Sequence, residues 1–396
     1  MNIYERPRSS IAIRLPRADR TLEAFALSEP RNFPVRATAP FNRIVFSAAH
    51  VVSDPLAACD PWLDAPIDWD RTIAFREHIW DLGLGVAEAM DTAQRGMGLD
   101  WPTSLELIRR SVAAADVRGG LVFSGAGTDH LAPEAVTSID DVIRGYEEQI
   151  AAIEAFGGRI ILMASRALAR AARSADDYAK VYDRILSQVR EPVIIHWLGD
   201  MFDPALAGYW GSADLDTATD TAVAIINAHA GKVDGVKISL LDKDKEIAMR
   251  RRLAPGVRMY TGDDFNYAEL IEGDGERHSD ALLGIFAAIA PAASAALASL
   301  AANDRRTYHD ILAPTVPLSR HIFRAPTRFY KTGVVFMAYL NGHQDHFTMV
   351  GGQESARSTL HLAEIFRLAD AAGLLRDPEL AVRRMRTVLA ARGVEA

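Results

Sequence analysis

Cysteine is almost missing from this chain. Cys59 is the single thiol in 396 residues, so neither an internal disulfide framework nor a multi-thiolate metal site can form. A reducing cytoplasm is the compartment that this composition suits. A strong charge of one sign is missing too. Lysine and arginine number 44 against 52 acidic residues, a net charge of −8 with a pI near 5.8, which argues against a nucleic acid or an anionic membrane as partner. Glycine and proline, at 27 and 18 residues, are too few for a fibrous or disordered protein. The first twenty residues, MNIYERPRSSIAIRLPRADR, contain no apolar core of the kind a secretory signal needs. Residues 281–302 are apolar but mostly alanine and interrupted by Pro291. They lack the Leu, Ile and Phe density of a membrane span.

What is present is a rhythm. Short apolar runs recur at Arg43–Ser47, Gly85–Met90, Gly120–Ser124, Arg159–Met163, Pro192–His196, Gly235–Ser239, Val257–Thr261 and Ala281–Phe286. Between them lie helical stripes, such as Thr137–Phe156 and the stretch from Ser174 to Val189, whose serine reads as a helix cap. Several runs are apolar on both alternating faces, as strands covered on each side must be. Strand and helix in alternation give parallel strands joined by right-handed crossovers. Eight beats predict a (β/α)8 TIM barrel over 41–303. Residues 1–40 form an N-terminal extension whose Ile11–Leu15 alternates like a hairpin strand, and 304–396 read as additional C-terminal helices packed on the barrel.

Barrel active sites lie at the carboxyl ends of the strands, so the last residues of each run are the candidates. Lys237, in Gly235-Val-Lys-Ile-Ser239, is the most unusual. Alternation sets Gly235, Lys237 and Ser239 on one face and Val236 and Ile238 on the other. With the branched residues against the helices, the lysine points into the barrel. Desolvation there lowers the amine's pKa and yields a nucleophile able to form a Schiff base with a ketone or aldehyde. A structural ion pair is the bland alternative. His196 closes the run Pro192–His196 and is placed to move protons near neutral pH. The loop 198–212, with Phe202, Tyr209 and Trp210, reads either as a lid over the mouth or as an aromatic loop packing against a partner subunit.

The order of these pieces resembles the dihydrodipicolinate synthase and N-acetylneuraminate lyase family of Schiff-base aldolases. Val193-Ile-Ile-His196 lines up with the family's fifth-strand motif, and Gly235-Val-Lys237 with the Schiff-base lysine of its sixth strand. Gly262-Asp263 matches a glycine–acid pair after the seventh, and Ser124-Gly125 a glycine-rich loop after the third. The resemblance covers roughly residues 40–340. It implies a lyase with Lys237 as the imine-forming nucleophile, no cofactor, and a homo-oligomer. The departures concern substrate. Met90-Asp91-Thr92-Ala-Gln-Arg95 stands where pyruvate-using members have paired hydroxyls, His196 replaces their tyrosine, and Trp197-Leu-Gly-Asp200 lacks their arginine. An aspartate would repel a carboxylate. The expected substrate is therefore a neutral, hydroxylated keto-compound such as a sugar-derived ketone, bound by Asp91, Ser124, Gly125, Asp200, Ser239, Gly262 and Asp263. Two other readings stand beside this one. One is a divalent-metal lyase or isomerase using His50, Glu88, Asp91, His130 and His196; the other is a sugar-binding protein without catalysis.

Overall fold

The computed structural model describes residues 7–33, 40–132, 134 and 136–395. In chain order the strands are β1 (Arg8–Pro16), β2 (Leu22–Ser28), β3 (Val45–Ala48), β4 (Gly85–Glu88), β5 (Val122–Ala126), β6 (Arg159–Met163), β7 (Val193–Leu198), β8 (Val233–Ser239), β9 (Arg258–Thr261) and β10 (Asp280–Leu283). β3 to β10 pair in parallel, each with the next, and β10 closes on β3 through Ala281–Val45 and its neighbours. A helix follows every barrel strand in sequence: α1 (Trp69–Asp81), α2 (Trp101–Arg118), α3 (Ile139–Ala155), α4 (Arg166–Ala171) with α5 (Ala175–Leu186), α6 (Leu215–Ala228), α7 (Lys243–Arg252), α8 (Tyr267–Glu272) and α9 (Phe286–Ala301). This is the (β/α)8 barrel that the rhythm predicts. Among the described residues five further α-helices follow: α10 (Arg305–Leu312), α11 (Val316–Ile322), α12 (Tyr330–Leu340), α13 (Thr359–Ala372) and α14 (Pro378–Ala391).

Two compact units share the chain. One comprises residues 43–49 and 84–283 and contains the closed barrel; the other comprises 1–42, 50–83 and 284–396. Within the second, β1 and β2 form an antiparallel hairpin, and Asp370 of α13 accepts a 2.9 Å bond from the Ser28 amide. α9 breaks helical geometry at Ile289, two residues before Pro291, because the proline ring removes a donor and crowds the preceding turn. Among the described residues no helix is long and apolar enough to cross a membrane.

The barrel interior is filled by one residue in two from each strand. Phe46, Ala87, Phe123, Ile161, Ile194, Tyr260 and Leu282 form its core, with Ala48, Met90 and Met163 toward the carboxyl ends. Phe46 meets both Phe123 and Tyr260 edge-on, at centroid distances of 5.1 and 5.9 Å. Local signals behave as their chemistry requires. Ser138 and Asp141 form a reciprocal capping box at the start of α3. Ser174 precedes α5 but its side chain makes no capping bond; the Asp177 carboxylate instead accepts from the Arg173 amide at 2.7 Å.

Candidate active site

β8 carries the central side chain. Its inward register is fixed by Gly235: a Cβ there would lie 2.6 Å from the ring of Tyr260, a core residue. Two residues on, Lys237 also faces inward, paired in register with His196 on one side and Tyr260 on the other. Only 7% of the residue is exposed. Burial lowers the amine's pKa, while Asp91 and Asp264 pull it back up. His196 is held well below the usual imidazole range by its burial and by the charge on Lys237, so it is a neutral imidazole. Its Nε2 lies 3.4 Å from the Ser239 hydroxyl. Lys237, His196 and Ser239 thus form one group.

Gly262 belongs to the same group for a steric reason. A Cβ at this position would come within 2.6 Å of the Ile238 carbonyl and 2.9 Å of Lys237 Cε, and nearer still to the Ser239 hydroxyl. Gly262→Ala is expected to destabilise the protein by about 2 kcal/mol or more through overpacking and to slow covalent capture by Lys237. Denaturant unfolding and a labelling time course measure the two effects.

A cavity of about 100 Å³ opens beside this group, walled by Asp91, His196, Met163, Leu198 and the loops after β4 to β7. Lys237 is not part of its wall, but its register partner His196 and its charge neighbour Asp91 are. Asp91 starts a short 3-10 turn directly after β4. The rest of the wall is largely polar. Thr128 and Ser165 hydroxyls meet at 2.6 Å, and both residues line the cavity with Arg95, Asp129, Arg166 and Asp203. Arg95 is buried. Its Nε and Nη2 clasp Asp129 at 3.0 and 2.7 Å, Nη2 also reaches Gln149, and Nη1 donates to the carbonyls of Gly125 and Ala89. The plane stacks over Trp101 at 5.0 Å. Burial alone would raise the Asp129 pKa, but Arg95 and Gln149 outweigh it and leave the carboxyl below its ordinary value.

Several expected site residues lie elsewhere. Ser124 pairs with Glu88 and alternates with the core residue Phe123, so it faces the helix layer. Gly125 faces inward, but Met90 and Met163 sulfurs occupy the space against it, at 3.2 and 2.9 Å from where a Cβ would be; it offers room to those side chains rather than to a ligand. Asp200 is exposed and off the cavity; Asp203, three residues later, is on it. Asp263 is buried but bonded within its own turn, accepting from the Phe265 and Asn266 amides at 2.8 and 3.0 Å; of these two adjacent acids it is Asp264 that acts on Lys237, alongside Asp91.

The alternative metal set does not assemble. Glu88 accepts from Ser111 of α2 on the outer face, His130 sits with Gln149 and Glu148, and His50 bonds Gln344 at 3.2 Å. Among the described residues no three His, Cys, Asp or Glu side chains come together as a metal site. The 198–212 loop is divided. Leu198, Asp203 and Leu206 line the cavity, while Tyr209 and Trp210 are buried among Tyr178, Tyr182 and Trp197, so its second half is packing and not a lid.

Behind the loop after β9, Glu246 of α7 accepts from Thr261 at 2.9 Å and from Ser279 at 2.7 Å. Burial pushes its carboxyl up to about 8 despite these bonds. A carboxyl raised in the folded state binds its proton more tightly than in the unfolded one, so its contribution is complete below pH 4.5 and is lost as pH rises toward 8. Glu246→Gln is therefore expected to match the wild type near pH 4 and to gain on it progressively up to pH 8, as followed by urea unfolding across that range.

Over residues 13–394 the chain matches the model of a family described as "Protein of unknown function (DUF993)". The chain belongs to this family. No curated protein matches its sequence. Solved structures share the fold of this DUF993 chain. Dihydrodipicolinate synthase from Bacillus clausii is 15% identical with a TM-score of 0.61, over 83% of this chain and 96% of its own. The chloride-inhibited enzyme of that name from Acinetobacter baumannii, complexed with pyruvate, is 18% identical with a TM-score of 0.60, over 84% and 99%. The Aquifex aeolicus dihydrodipicolinate synthase is 12% identical with a TM-score of 0.57, over 89% and 98%. At these identities the likeness is one of fold.

Proposed function

We propose that this chain is a Schiff-base-forming lyase acting on a small, hydroxylated keto-compound. The observation that carries the reading is Lys237: an amine inside a closed barrel, desolvated, paired in register with a neutral imidazole that borders a cavity. Its lone pair adds to the substrate carbonyl carbon, and loss of water leaves an iminium. In the retro-aldol direction His196 takes the proton of the hydroxyl one carbon beyond the α-carbon. The bond between those carbons then breaks, and its electrons enter the iminium as an enamine. Protonation of the enamine and hydrolysis return the free amine and the second product. Dehydration runs differently: His196 takes the α-proton of the iminium to give the enamine, whose electrons expel the hydroxyl of the next carbon as water with a proton returned by the imidazolium, and hydrolysis of the resulting unsaturated iminium frees the amine. Asp91 and Ser239 accept hydrogen bonds from substrate hydroxyls.

Charge supports a neutral substrate. Three carboxylates line the cavity, from Asp91, Asp129 and Asp203, against the two guanidiniums of Arg95 and Arg166, each already paired with one of them. A substrate carboxylate would meet no uncompensated cation on that wall. In a protein of the same fold, the Acinetobacter baumannii enzyme, the molecule in the complex is pyruvate, which carries a carboxylate.

The test is mass spectrometry of protein reduced with borohydride in the presence of neutral hydroxyketones and, separately, pyruvate. A mass increase on Lys237 with the hydroxyketones is expected. An adduct with pyruvate alone overturns the substrate class, and no adduct with any carbonyl overturns the Schiff-base chemistry.

A further inference from the structure

The cavity wall carries two kinds of chemistry. His196 and Asp91 are the wall residues tied to the amine. Thr128, Ser165, Arg166 and Asp203 line it too, and none of them is required by the Schiff-base steps. Arg166 Nε bonds Asp203 Oδ2 at 2.5 Å, and the other carboxylate oxygen caps the following turn through the Ala205 amide at 3.1 Å. The remaining guanidinium nitrogens of Arg166 have no protein partner among the described residues. They flank Gly96, where a Cβ would stand 3.4 and 3.6 Å from them. That glycine has a φ of +72°, a conformation that disfavours a side chain. The charge of Arg166 is met by Asp203, yet its donors are not used up. Beside it the buried Thr128–Ser165 hydroxyl pair supplies both a donor and an acceptor. Met163, Ala164 and Leu206 add an apolar part to the lining.

We infer that this wall is a distal polyol subsite: Arg166, Asp203, Thr128 and Ser165 bind the hydroxyls at the far end of an open-chain ketose whose carbonyl is captured by Lys237. The inference rests on the Schiff-base reading for the position of the carbonyl and adds the identity of the tail. Neutral hydroxyls, each donor and acceptor at once, match alternating guanidinium, carboxylate and hydroxyl partners. An anionic tail would satisfy Arg166 but face Asp203, and an alkyl tail would leave the unused donors of Arg166 unmatched. Selectivity for a substrate with several hydroxyls over one with a single hydroxyl follows, because a site built to bond hydroxyls loses those bonds with the poorer ligand.

Two measurements test this together. Borohydride labelling rates are compared for xylulose and hydroxyacetone in the wild type and in Arg166→Met, and binding of xylitol, which has no carbonyl, is followed by calorimetry in both. The wild type is expected to label faster with xylulose, and Arg166→Met to reduce that preference by about tenfold, the scale of one or two lost hydrogen bonds to a charged group. Xylitol binding is expected to weaken to the same degree. An unchanged preference in Arg166→Met, with labelling intact, overturns the subsite alone. Absence of labelling in every protein, with Arg166-dependent xylitol binding, overturns the lysine chemistry and leaves the subsite standing. Absence of both overturns the two readings together.

Discussion

Lys237→Met should eliminate borohydride-dependent labelling and lower lyase kcat/KM by roughly a thousandfold or more, because covalent capture of the carbonyl has no substitute in the cavity. Loss of fold is not the expected cause. Methionine replaces a desolvated amine with an apolar chain of similar length, and the surroundings, Tyr260 on one side and His196 on the other, accept it. The stability effect has a definite sign. The folded-state pKa of Lys237 lies below its unfolded value of 10.5, so the folded protein binds fewer protons and stability rises with pH up to about that value. The variant lacks this dependence. It should be more stable than the wild type at pH 6 and approach it near pH 10. A variant less stable at pH 6 would mean that the lysine is held by compensating charge and is not a desolvated nucleophile.

Arg95→Met should be the most damaging substitution outside the barrel core. The guanidinium ties the carbonyls that end β4 and β5 to Asp129 and to Gln149 of α3. Its removal leaves the Asp129 carboxylate, with 21% of its side chain exposed, facing no cation. The expected loss is about 3 kcal/mol, the lower part of the range for stranding one partner of a buried pair. The pH dependence separates this cause from simple misfit. In the wild type Asp129 titrates below its ordinary value and contributes stability above it; in Arg95→Met burial dominates, the carboxyl moves up, and the deficit grows as pH rises past 3.8. Adding Asp129→Asn should recover part of the loss at neutral pH, a coupling that a double-mutant cycle measures directly. If the second substitution only adds to the first, the ion pair contributes little.

The barrel was readable because its physics is local and repetitive. Each strand announces itself by a short apolar run and each crossover by a helical stripe. Lys237 was readable for the same reason: alternation across Gly235-Val-Lys-Ile-Ser239 assigns its face without knowledge of any neighbour. Failures came where one residue decides. The run read as Gly120–Ser124 is a strand at Val122–Ala126, and within it Ser124 takes the outward face while inward Gly125 is filled by methionine sulfur. Asp263 and Asp264 are indistinguishable in sequence; the turn after Gly262 sends one to cap its own chain and leaves the other to act on the amine. The pairings of Arg95 with Asp129 and of Arg166 with Asp203 escaped for a different reason. The partners lie 34 and 37 residues apart, and no local pattern encodes such a pairing. Hydroxyls and arginines two or three residues past strand ends, as at Ser165-Arg166, are the signal that was available.

The closure between β3 and β10 also has a bearing on how the chain is made. Ile44 and Asp280, joined through the backbone amide of one and the carboxylate of the other, are 236 positions apart. During synthesis seven strands therefore emerge before their ring can shut, and for that interval β3 and β9 each present an unpaired edge. Such edges are templates for intermolecular association. A ribosome-bound or truncated product ending before Asp280 should recruit chaperones or aggregate, and aggregation should fall abruptly once the last strand is available.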